Sequence, residues 1–356
     1  MSRMMVMAGG TGGHVMPALA VARCLRERGV EVRWMGSVDG LEGRLVPADG
    51  FALDSIRIRG LRRSGLVRKL IMPFMLAMAC FQALLILLRR RPDVLLGMGG
   101  FVSGPGGLMA GILGKPLVLH EQNAVAGMTN RWLSRIARRV LSGFPETEDL
   151  ARSEWVGNPV RHDIVRLADP RERLHNRQGP LRILVVGGSQ GARVFNEELP
   201  KLLPSRFSDQ VIVHHQCGRG NAGEVEQAYQ SSGIKAEVNE FIDDMAAAYD
   251  WSDIVICRAG AMTVAEICAA GAVAVFVPYP YAVSDHQSRN AQYLAENDAA
   301  LSIPQTDFAS GDWLDRLQEF AQNRASLTEM ACRARALAKP DAAERVADIC
   351  QELSRA

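Results

Sequence analysis

The chain has 356 residues, 48% of them hydrophobic and 22% charged, and its 41 basic and 39 acidic side chains give a formal net charge of +2. This length predicts about two domains of ~150 residues each, and the composition excludes a disordered tail, a collagen-like repeat or a small disulfide scaffold. A charge this close to zero also argues against a general nucleic-acid binder, which normally carries a large basic excess.

The seven cysteines are scattered singly along the chain, and no two form a C-x-x-C pair. An odd, unpatterned set of this kind is typical of reduced thiols in a cytoplasmic protein, and its spacing offers no cluster of zinc ligands. The first apolar run, residues 4–8, is too short for a secretory signal because the glycine-rich residues 9–13 interrupt it. We therefore expect a first strand and a cytoplasmic protein.

Two stretches repeat one pattern of an apolar strand, a glycine-rich turn and a helix. Residues 4–8 lead through the first glycine loop (9–13) into a helix over 17–28, and residues 181–186 lead through the second glycine loop (187–191) into another helix. A doubly wound α/β unit begins in this way. Further apolar runs, typical of strands buried on both faces of a parallel sheet, lie at 94–98, 117–120, 211–215, 254–257 and 273–277.

The predicted fold is α/β, with two Rossmann-like doubly wound parallel-sheet domains facing a cleft. A polar, proline-bearing stretch at 156–180 is the expected joint between the domains. After it the alternation of strands and helices continues, and an amphipathic helix is predicted over residues 341–355.

A charged stretch precedes the strand at 94–98. Residues 57–91 contain nine basic and no acidic side chains, which leaves 32 basic against 39 acidic in the remainder. Residues 70–88 carry no charge, close to the ~20 residues that a spanning helix needs. A span here would split one sheet across a membrane, so we expect either an ordinary core helix or one whose exposed apolar face, ringed by arginines, lies on anionic lipid.

Glycine-rich turns ahead of helices expose backbone N–H groups that suit phosphate or another anion. Val15 stands where a dinucleotide fingerprint needs its third glycine, and no stretch fits the Walker pattern, so neither NAD nor ATP is favoured. A third glycine loop, residues 97–107, also follows an apolar strand. Glycines at three such places predict backbone that approaches a bulky charged ligand.

The second half carries the most specific set of residues. The strand at 254–257 leads into Arg258, a glycine turn and a helix start at 261–266. This order predicts a nucleotide-diphosphate site in which the helix N-terminus and Arg258 face phosphate, Glu266 accepts the ribose hydroxyls and Gln287 contacts a sugar hydroxyl. A solvated arginine and a capping carboxylate explain either residue alone.

The motifs at 9–14, 120–123, 157–161, 187–191 and 258–266 resemble those of the bacterial glycosyltransferases that build the second lipid intermediate of peptidoglycan. The resemblance extends through essentially the whole chain. It implies a GT-B fold and the inverting transfer of N-acetylglucosamine from UDP-N-acetylglucosamine (UDP-GlcNAc) to the C4 hydroxyl of undecaprenyl-pyrophosphoryl-N-acetylmuramoyl-pentapeptide, a step of cell-wall synthesis that also serves cell shape and cell division.

The resemblance also implies that the two domains bind different substrates. Residues 1–158 would form an acceptor-binding, membrane-associating domain completed by the C-terminal helix 341–356, and residues 159–340 would bind UDP-GlcNAc. The expected partners are the nucleotide sugar, the undecaprenyl-linked acceptor and the anionic lipid of the inner membrane, at whose cytoplasmic face the protein would be peripheral. No cofactor and no nucleic acid are expected.

Site residues follow from the same resemblance. Ile242 would lie beside the uracil, and Ser189 would approach the diphosphate. A loop for the acceptor pyrophosphate would contain Gly99, Gly100, Ser103 and Gly104. The donor contacts would be Thr11, Gly12, Gly13, Asn123, Arg161, Ser189, Gln190, Ile242, Arg258, Ala261, Met262, Thr263, Val264, Ala265, Glu266 and Gln287.

An inverting transfer needs a base for the hydroxyl proton and stabilisation for the leaving diphosphate. The chain has no Asp-x-Asp pair, so we expect helix N-termini and arginines, and no metal, at the diphosphate. His14 is the candidate base because its reference pKa suits proton removal near neutral pH, although it would serve equally as a hydrogen-bonding group. Glu121 is either the rival base or the residue that holds the loop around Asn123.

Three other functions share some of these features. A UDP-GlcNAc epimerase would use the same fold and donor without a lipid acceptor. A nucleotide-sugar binding protein would keep the site at 258–266 but would not need His14. An NAD oxidoreductase is disfavoured by the incomplete fingerprint.

Overall fold

A computed structural model describes residues 2–58, 66–150, 152–188, 190–207 and 209–355, without the side chains of 66–71. The chain forms two compact units. The first contains the residues up to Arg161 and those from Lys339 onwards, and the second is His162–Ala338.

The first unit is built on a parallel sheet. Its strands are β1 (Arg3–Met7), β2 (Glu31–Gly36), β3 (Ala52–Ser55), β4 (Val94–Gly97), β5 (Leu117–Glu121), β6 (Arg139–Ser142) and β7 (Glu154–Trp155). They lie in the order β3-β2-β1-β4-β5-β6-β7. The helices before the joint are α1 (Gly12–Glu27), α2 (Leu41–Ala48), α3 (Leu66–Arg90), α4 (Ser103–Ile112) and α5 (Met128–Leu133). All of β4 and β5 is buried, which explains why these strands are continuous apolar runs.

The second unit repeats this plan. Its strands are β8 (Leu181–Val186), β9 (Val211–Gln216), β10 (Lys235–Asn239), β11 (Ile254–Cys257), β12 (Val273–Phe276) and β13 (Leu301–Ser302), in the order β10-β9-β8-β11-β12-β13. Its helices are α6 (His162–Val165), α7 (Pro170–Arg173), α8 (Arg193–Leu202), α9 (Ala222–Ser232), α10 (Met245–Trp251), α11 (Ala261–Ala270), α12 (His286–Ala295), α13 (Gln305–Phe308), α14 (Leu314–Gln322) and α15 (Arg324–Ala336). The last helix, α16 (Ala342–Arg355), packs on α1 in the first unit.

Both sheets are parallel throughout, and the strand order in each runs outward in two directions from its first strand. This arrangement confirms the prediction of two Rossmann-like doubly wound domains. The carboxyl ends of β1, β4 and β5 therefore share one edge of the first sheet, and those of β8, β9 and β11 share one edge of the second.

Two local predictions were wrong. The first helix begins at Gly12, not at residue 17, because Thr11 in an extended conformation already accepts the backbone N–H groups of His14 and Val15. The third glycine loop is only partly a loop, since α4 begins at Ser103. Small residues allow this helix to lie close to its neighbours: a Cβ on Gly107 would come within 2.7 Å of Leu133.

The apolar helix α3 packs along one face and exposes another. Ala79, Ala83 and Leu87 are buried at four-residue spacing. Arg90 at its end binds Asp54 of β3 with N···O distances of 2.7–3.2 Å. By length and composition Met72–Arg90 is apolar enough to cross a membrane, and only 17% of it is buried. Along the chain β3 precedes α3 and β4 follows it, and both strands belong to the same parallel sheet. Helix α3 is therefore a crossover helix of the first unit.

Candidate active site

The first glycine loop brings His14 to the carboxyl edge of the first sheet. The His14 imidazole lies in the first turn of α1, and its Nδ1 is 3.2 Å from Thr11 Oγ1. A Cβ on Gly99 would lie 2.8 Å from His14 Cδ2, and a Cβ on Gly100 would collide with the carbonyl of Gly9. Both glycines have positive φ, +96° and +82°. Glycine at these two positions therefore lets the third loop lie directly on the first loop and on His14.

A buried carboxylate, which the sequence analysis did not identify, holds the first loop. Glu42 in α2 is 1% exposed and accepts the N–H of Gly10 and the N–H of Ser37, each at 3.0 Å. Its carboxylate thus fixes the backbone at the start of the first loop. Gly10 and Glu42 are 32 positions apart, so no local pattern pointed to this contact.

Ser103, expected in an acceptor pyrophosphate loop, has a structural role. Its side chain is fully buried, and its hydroxyl is within hydrogen-bond distance of the carbonyls of Met7 and Gly99, at 2.9 and 2.8 Å. Gly104 lies in the first turn of α4. The part of the third loop that remains a loop thus contains Gly99 and Gly100, and Ser103 fastens it to the end of β1.

The Glu121 carboxylate accepts four hydrogen bonds from residues that follow it in the chain. It is 3% exposed, and its Oε1 accepts the backbone and side-chain N–H groups of Asn123 at 3.0 and 3.2 Å. Its Oε2 accepts the N–H of Gly127 at 3.0 Å and the side-chain amide of Asn130 at 2.8 Å. Four donors fill the four lone-pair positions of a carboxylate. Of the two expectations for Glu121, the structure supports the one in which it holds the loop around Asn123.

His120, next to Glu121, ties the end of β5 to the joint. Its Nε2 lies 2.8 Å from the carbonyl of Gly157, and its Nδ1 lies 3.1 Å from the side-chain amide of Gln122. Full burial lowers the pKa of His120 to about 4, although the bond to Gly157 and the Glu121 carboxylate oppose this shift. The ring is therefore neutral near pH 7, with the proton on the nitrogen that faces the Gly157 carbonyl.

In the second unit, three of the expected donor residues line one cavity of about 670 Å³: Gln190, Arg258 and Gln287. Gly187 and Gly191 of the second glycine loop line it as well. A larger cavity of about 800 Å³ lies between α8 and α9, but Gln190 is the only expected site residue there among the residues described. Ser189 lies outside the described residues. The smaller cavity is therefore the better candidate for the donor.

Arg258, which is expected to face phosphate, also contacts the protein through its guanidinium. One terminal nitrogen donates to the carbonyl of Val277 at 2.9 Å, and the other donates to Gln305 Oε1 at 2.7 Å. The group also lies over the rings of Phe195 and Tyr279, 5.0 and 5.4 Å from their centroids. Burial lowers its pKa, yet an arginine remains charged near neutral pH. These contacts link Arg258 to the segment after β12.

The same segment contains Gln287. Its Oε1 accepts the backbone N–H of Tyr279 at 2.9 Å, so the side-chain carbonyl closes the loop between β12 and α12. Arg258 and Gln287 therefore both fix Tyr279, one through its ring and the other through its backbone.

The expected diphosphate-binding helix is α11. The first turn of a helix leaves N–H groups without an intrahelical partner, and Gly260, in an extended conformation, supplies no side-chain cap. Glu266 lies in the second turn, where its Oε2 accepts the hydroxyl of Tyr249 at 3.0 Å. Ile242, expected beside the uracil, is 8% exposed and precedes α10. Tyr249 is a further residue that sequence reasoning missed.

The remaining donor residues are divided between the units. Thr11, Gly12 and Gly13 begin α1, and Asn123 lies on Glu121. Arg161 is the last residue of the first unit before the joint. Within the ranges that the structure describes, no three His, Cys, Asp or Glu side chains lie close enough together to hold a metal ion.

Comparison with known proteins gives matches along nearly the full length. Residues 4–142 match the glycosyltransferase family 28 N-terminal domain, and residues 182–346 match the family 28 C-terminal domain. A protein of Ralstonia nicotianae is 51% identical over 99% of this chain and 97% of its own length. One of Marinobacter nauticus is 49% identical over 98% and 97%. Both are named UDP-N-acetylglucosamine–N-acetylmuramyl-(pentapeptide) pyrophosphoryl-undecaprenol N-acetylglucosamine transferase.

Solved structures of similar proteins give matches of the same extent. The crystal structure of Acinetobacter baumannii MurG superposes with a TM-score of 0.86 at 41% identity, covering 99% of this chain and 100% of that one. A UDP-GlcNAc 2-epimerase from Neisseria meningitidis, bound to UDP-GlcNAc, superposes with a TM-score of 0.68 but at 10% identity, over 99% and 100% of the two chains. At that identity the likeness to the epimerase concerns the fold alone. These matches confirm the resemblance seen in the motifs.

Proposed function

The chain belongs to glycosyltransferase family 28, and on that premise we propose that it transfers N-acetylglucosamine from UDP-GlcNAc to undecaprenyl-pyrophosphoryl-N-acetylmuramoyl-pentapeptide, with release of UDP. The observation that carries this proposal is the near 50% identity, over almost the whole chain, to transferases named for this reaction. Transfer to the C4 hydroxyl with inversion at the anomeric carbon is part of the proposal.

The second unit binds the donor. Backbone N–H groups at the start of α11 and in the second glycine loop stabilise the negative charge that develops on the leaving diphosphate. Glu266, oriented by Tyr249, accepts the ribose hydroxyls, and Ile242 contacts the uracil. Arg258 and Gln287 keep the loop before α12 in place. Fixed backbone dipoles of this kind supply the electrostatic stabilisation that the reaction needs.

The first unit supplies the base. His14 removes the proton of the acceptor hydroxyl, because its imidazole lies at the edge of the sheet between the first and third glycine loops. The reference pKa of the imidazole group suits proton removal near neutral pH. The N–H groups of the first loop, at the start of α1, approach the acceptor pyrophosphate. Thr11 orients the His14 ring, and Glu42 fixes the first glycine loop by accepting the N–H of Gly10.

The protein works as a peripheral protein on the cytoplasmic face of the inner membrane. On α3 an apolar stripe, opposite the buried face, consists of Phe74, Met78, Phe81, Leu85 and Leu88, with exposures of 50–82%. Their spacing of four, three, four and three residues forms one continuous line on a helix. Helix α4 packs on α3 and α5 packs on α4, and these two helices expose Ile112 and Trp132, at 67% and 64%.

Anionic headgroups fit the charges near this stripe. Arg89 and Arg91 are exposed at its end, whereas Arg90 is occupied by Asp54. Arg59, Arg62 and Arg63 lie outside the described residues, and so do the side chains of Arg68 and Lys69. An exposed apolar surface beside basic side chains is what an interfacial helix needs to bind anionic lipid.

Sedimentation with phosphatidylglycerol vesicles tests the membrane proposal. The protein should sediment with these vesicles at low salt and be released at high salt. The double variant Phe74→Ser, Phe81→Ser should lose at least about fivefold in binding, since each loses an apolar ring. Val38→Ser is the control, because Val38 is 64% exposed in the same unit and lies between β2 and α2, outside α3. Binding that is absent at low salt, or equal in the double variant, would refute peripheral attachment.

Incubation with UDP-GlcNAc alone tests the proposal against the epimerase alternative. A transferase releases almost no UDP until the lipid-linked acceptor is added, whereas an epimerase converts the sugar without it. Inversion at C2 of the sugar without acceptor, giving UDP-N-acetylmannosamine or, with hydrolysis by water, UDP and N-acetylmannosamine, would favour the epimerase. A nucleotide-sugar binding protein would show no turnover in either case.

A further inference from the structure

A buried amide links two loops of the second unit that sequence reasoning treated separately. Gln216 is the last residue of β9, and its side chain is 3% exposed. Its Nε2 lies 2.9 Å from the carbonyl of Gly188, in the second glycine loop. The same nitrogen lies 2.8 Å from the carbonyl of Glu240, two residues before Ile242.

The chemistry of these partners fixes which end of the amide faces them. Carbonyl oxygens only accept hydrogen bonds, so the NH₂ group must point towards both, and its two hydrogens are then used. Because the Gln216 side chain is almost completely buried, water does not compete for these two hydrogen bonds. An amide that spans two loops sets the distance between them.

Other contacts make the second glycine loop dependent on this end of β9. The carbonyl of Gln216 accepts the N–H of Gly187 at 3.2 Å, and the Gly188 carbonyl also accepts the N–H of Gly191 at 2.8 Å. Gly191 has a φ of +73°, and a Cβ on Gly191 would collide with the carbonyl of Cys217. The loop therefore rests directly on β9, and the Gln216 side chain extends this support to residue 240.

We propose that Gln216 is a positioning residue that holds the diphosphate-binding and uracil-binding loops at the separation required by UDP. The proposal rests on the function proposed above, in which the second glycine loop approaches the diphosphate and Ile242 contacts the uracil. Gln216 itself touches neither part of the nucleotide. Its effect is on ligands that occupy both loops at once, because only such ligands depend on the distance between them.

Affinities for UDP and for uridine, compared in Gln216→Met, test this role. Methionine has similar length but no N–H donor, so it leaves both carbonyls without the amide. We expect UDP, measured by isothermal titration, to bind about tenfold more weakly, because the protein must then order the two loops when it binds. Uridine, measured by competition with UDP, lacks the phosphates that approach the second glycine loop, so its affinity should change less than twofold. Gln230→Met, an exposed site on α9, is the matched control and should bind both ligands like the wild type.

Each result has one meaning. Unchanged UDP affinity in Gln216→Met, or an equal loss for UDP and uridine, overturns the positioning role. If Gln216→Met does not fold, Gln216→Asn decides: it keeps the amide but is too short to reach both carbonyls, and the ratio of UDP to uridine affinity should fall in the same direction. A wild-type protein that binds no UDP would refute the proposed donor site itself, and this outcome differs from a failure of the Gln216 role alone.

Discussion

The imidazole of His14 lies against the backbone of Gly99, so that a Cβ at residue 99 would come within 2.8 Å of its Cδ2. Gly99→Ala should therefore displace the imidazole, and the positive φ of +96° adds backbone strain. We expect kcat to fall by at least about tenfold while UDP affinity, a property of the second unit, changes less than twofold. Gly114→Ala is the control, because φ is +64° there but no atom lies within 4 Å of the new Cβ. Equal activities of the two variants would contradict this contact.

His14→Ala tests the proposed base. At saturating substrates kcat should fall by about 100-fold or more, since general base catalysis typically contributes that much. UDP affinity should stay close to that of the wild type. A smaller loss in kcat would mean that the imidazole serves as a hydrogen-bonding group and that the base lies elsewhere.

Glu121→Ala tests whether this carboxylate has a structural role. It leaves four donors, on Asn123, Gly127 and Asn130, without their acceptor. The free energy of unfolding should drop by at least about 1–3 kcal/mol, the cost of unsatisfied buried donors. Chemical denaturation measures this loss. A variant as stable as the wild type, but with kcat lowered as far as in His14→Ala, would restore Glu121 as a candidate base.

Arg258→Lys tests the positioning role of the guanidinium. Lysine has no planar fork, so it cannot reach Val277 and Gln305 together while it lies over the Tyr279 ring. The KM for UDP-GlcNAc should rise by about tenfold, with a smaller effect on kcat. Arg219→Lys, at an exposed site in the same unit, should behave like the wild type. An unchanged KM would contradict the role.

The stability of the protein should fall as the pH is lowered from about 6.5 towards 4. Burial lowers the pKa of His120 to about 4, whereas a histidine in the unfolded chain has a pKa of about 6.5. Between these values the unfolded chain binds the extra proton, so acid favours unfolding. His120→Gln should reduce the fall in Tm between pH 7 and pH 5, and His175→Gln, at an exposed site, should not. Equal pH dependence in all three proteins would contradict this assignment.

The sequence predicted the parts of the fold that depend on local patterns. Buried parallel strands are apolar on both faces, so β4, β5 and β11 were recognised to within one residue. The beginning of α1 was missed because glycines have low helix propensity, although Thr11 in an extended conformation starts the helix there.

The direction of a functional side chain could not be predicted, because it depends on partners far away in sequence. Arg258 binds Gln305, 47 residues further on, and Glu42 binds Gly10 across 32 residues. In both cases the residue type was compatible with a ligand contact, yet the nearest partner is the protein itself. The pattern placed Arg258 at the correct strand end, and only the structure assigns its guanidinium to the loop after β12.

The measurement that tests the central claim most directly follows labelled N-acetylglucosamine and UDP in one reaction with UDP-GlcNAc and the undecaprenyl-linked muramoyl-pentapeptide. The proposed function predicts that label enters the lipid fraction in a one-to-one ratio with the UDP released, and that both stop when the acceptor is left out. UDP release without transfer of label to the lipid would contradict it.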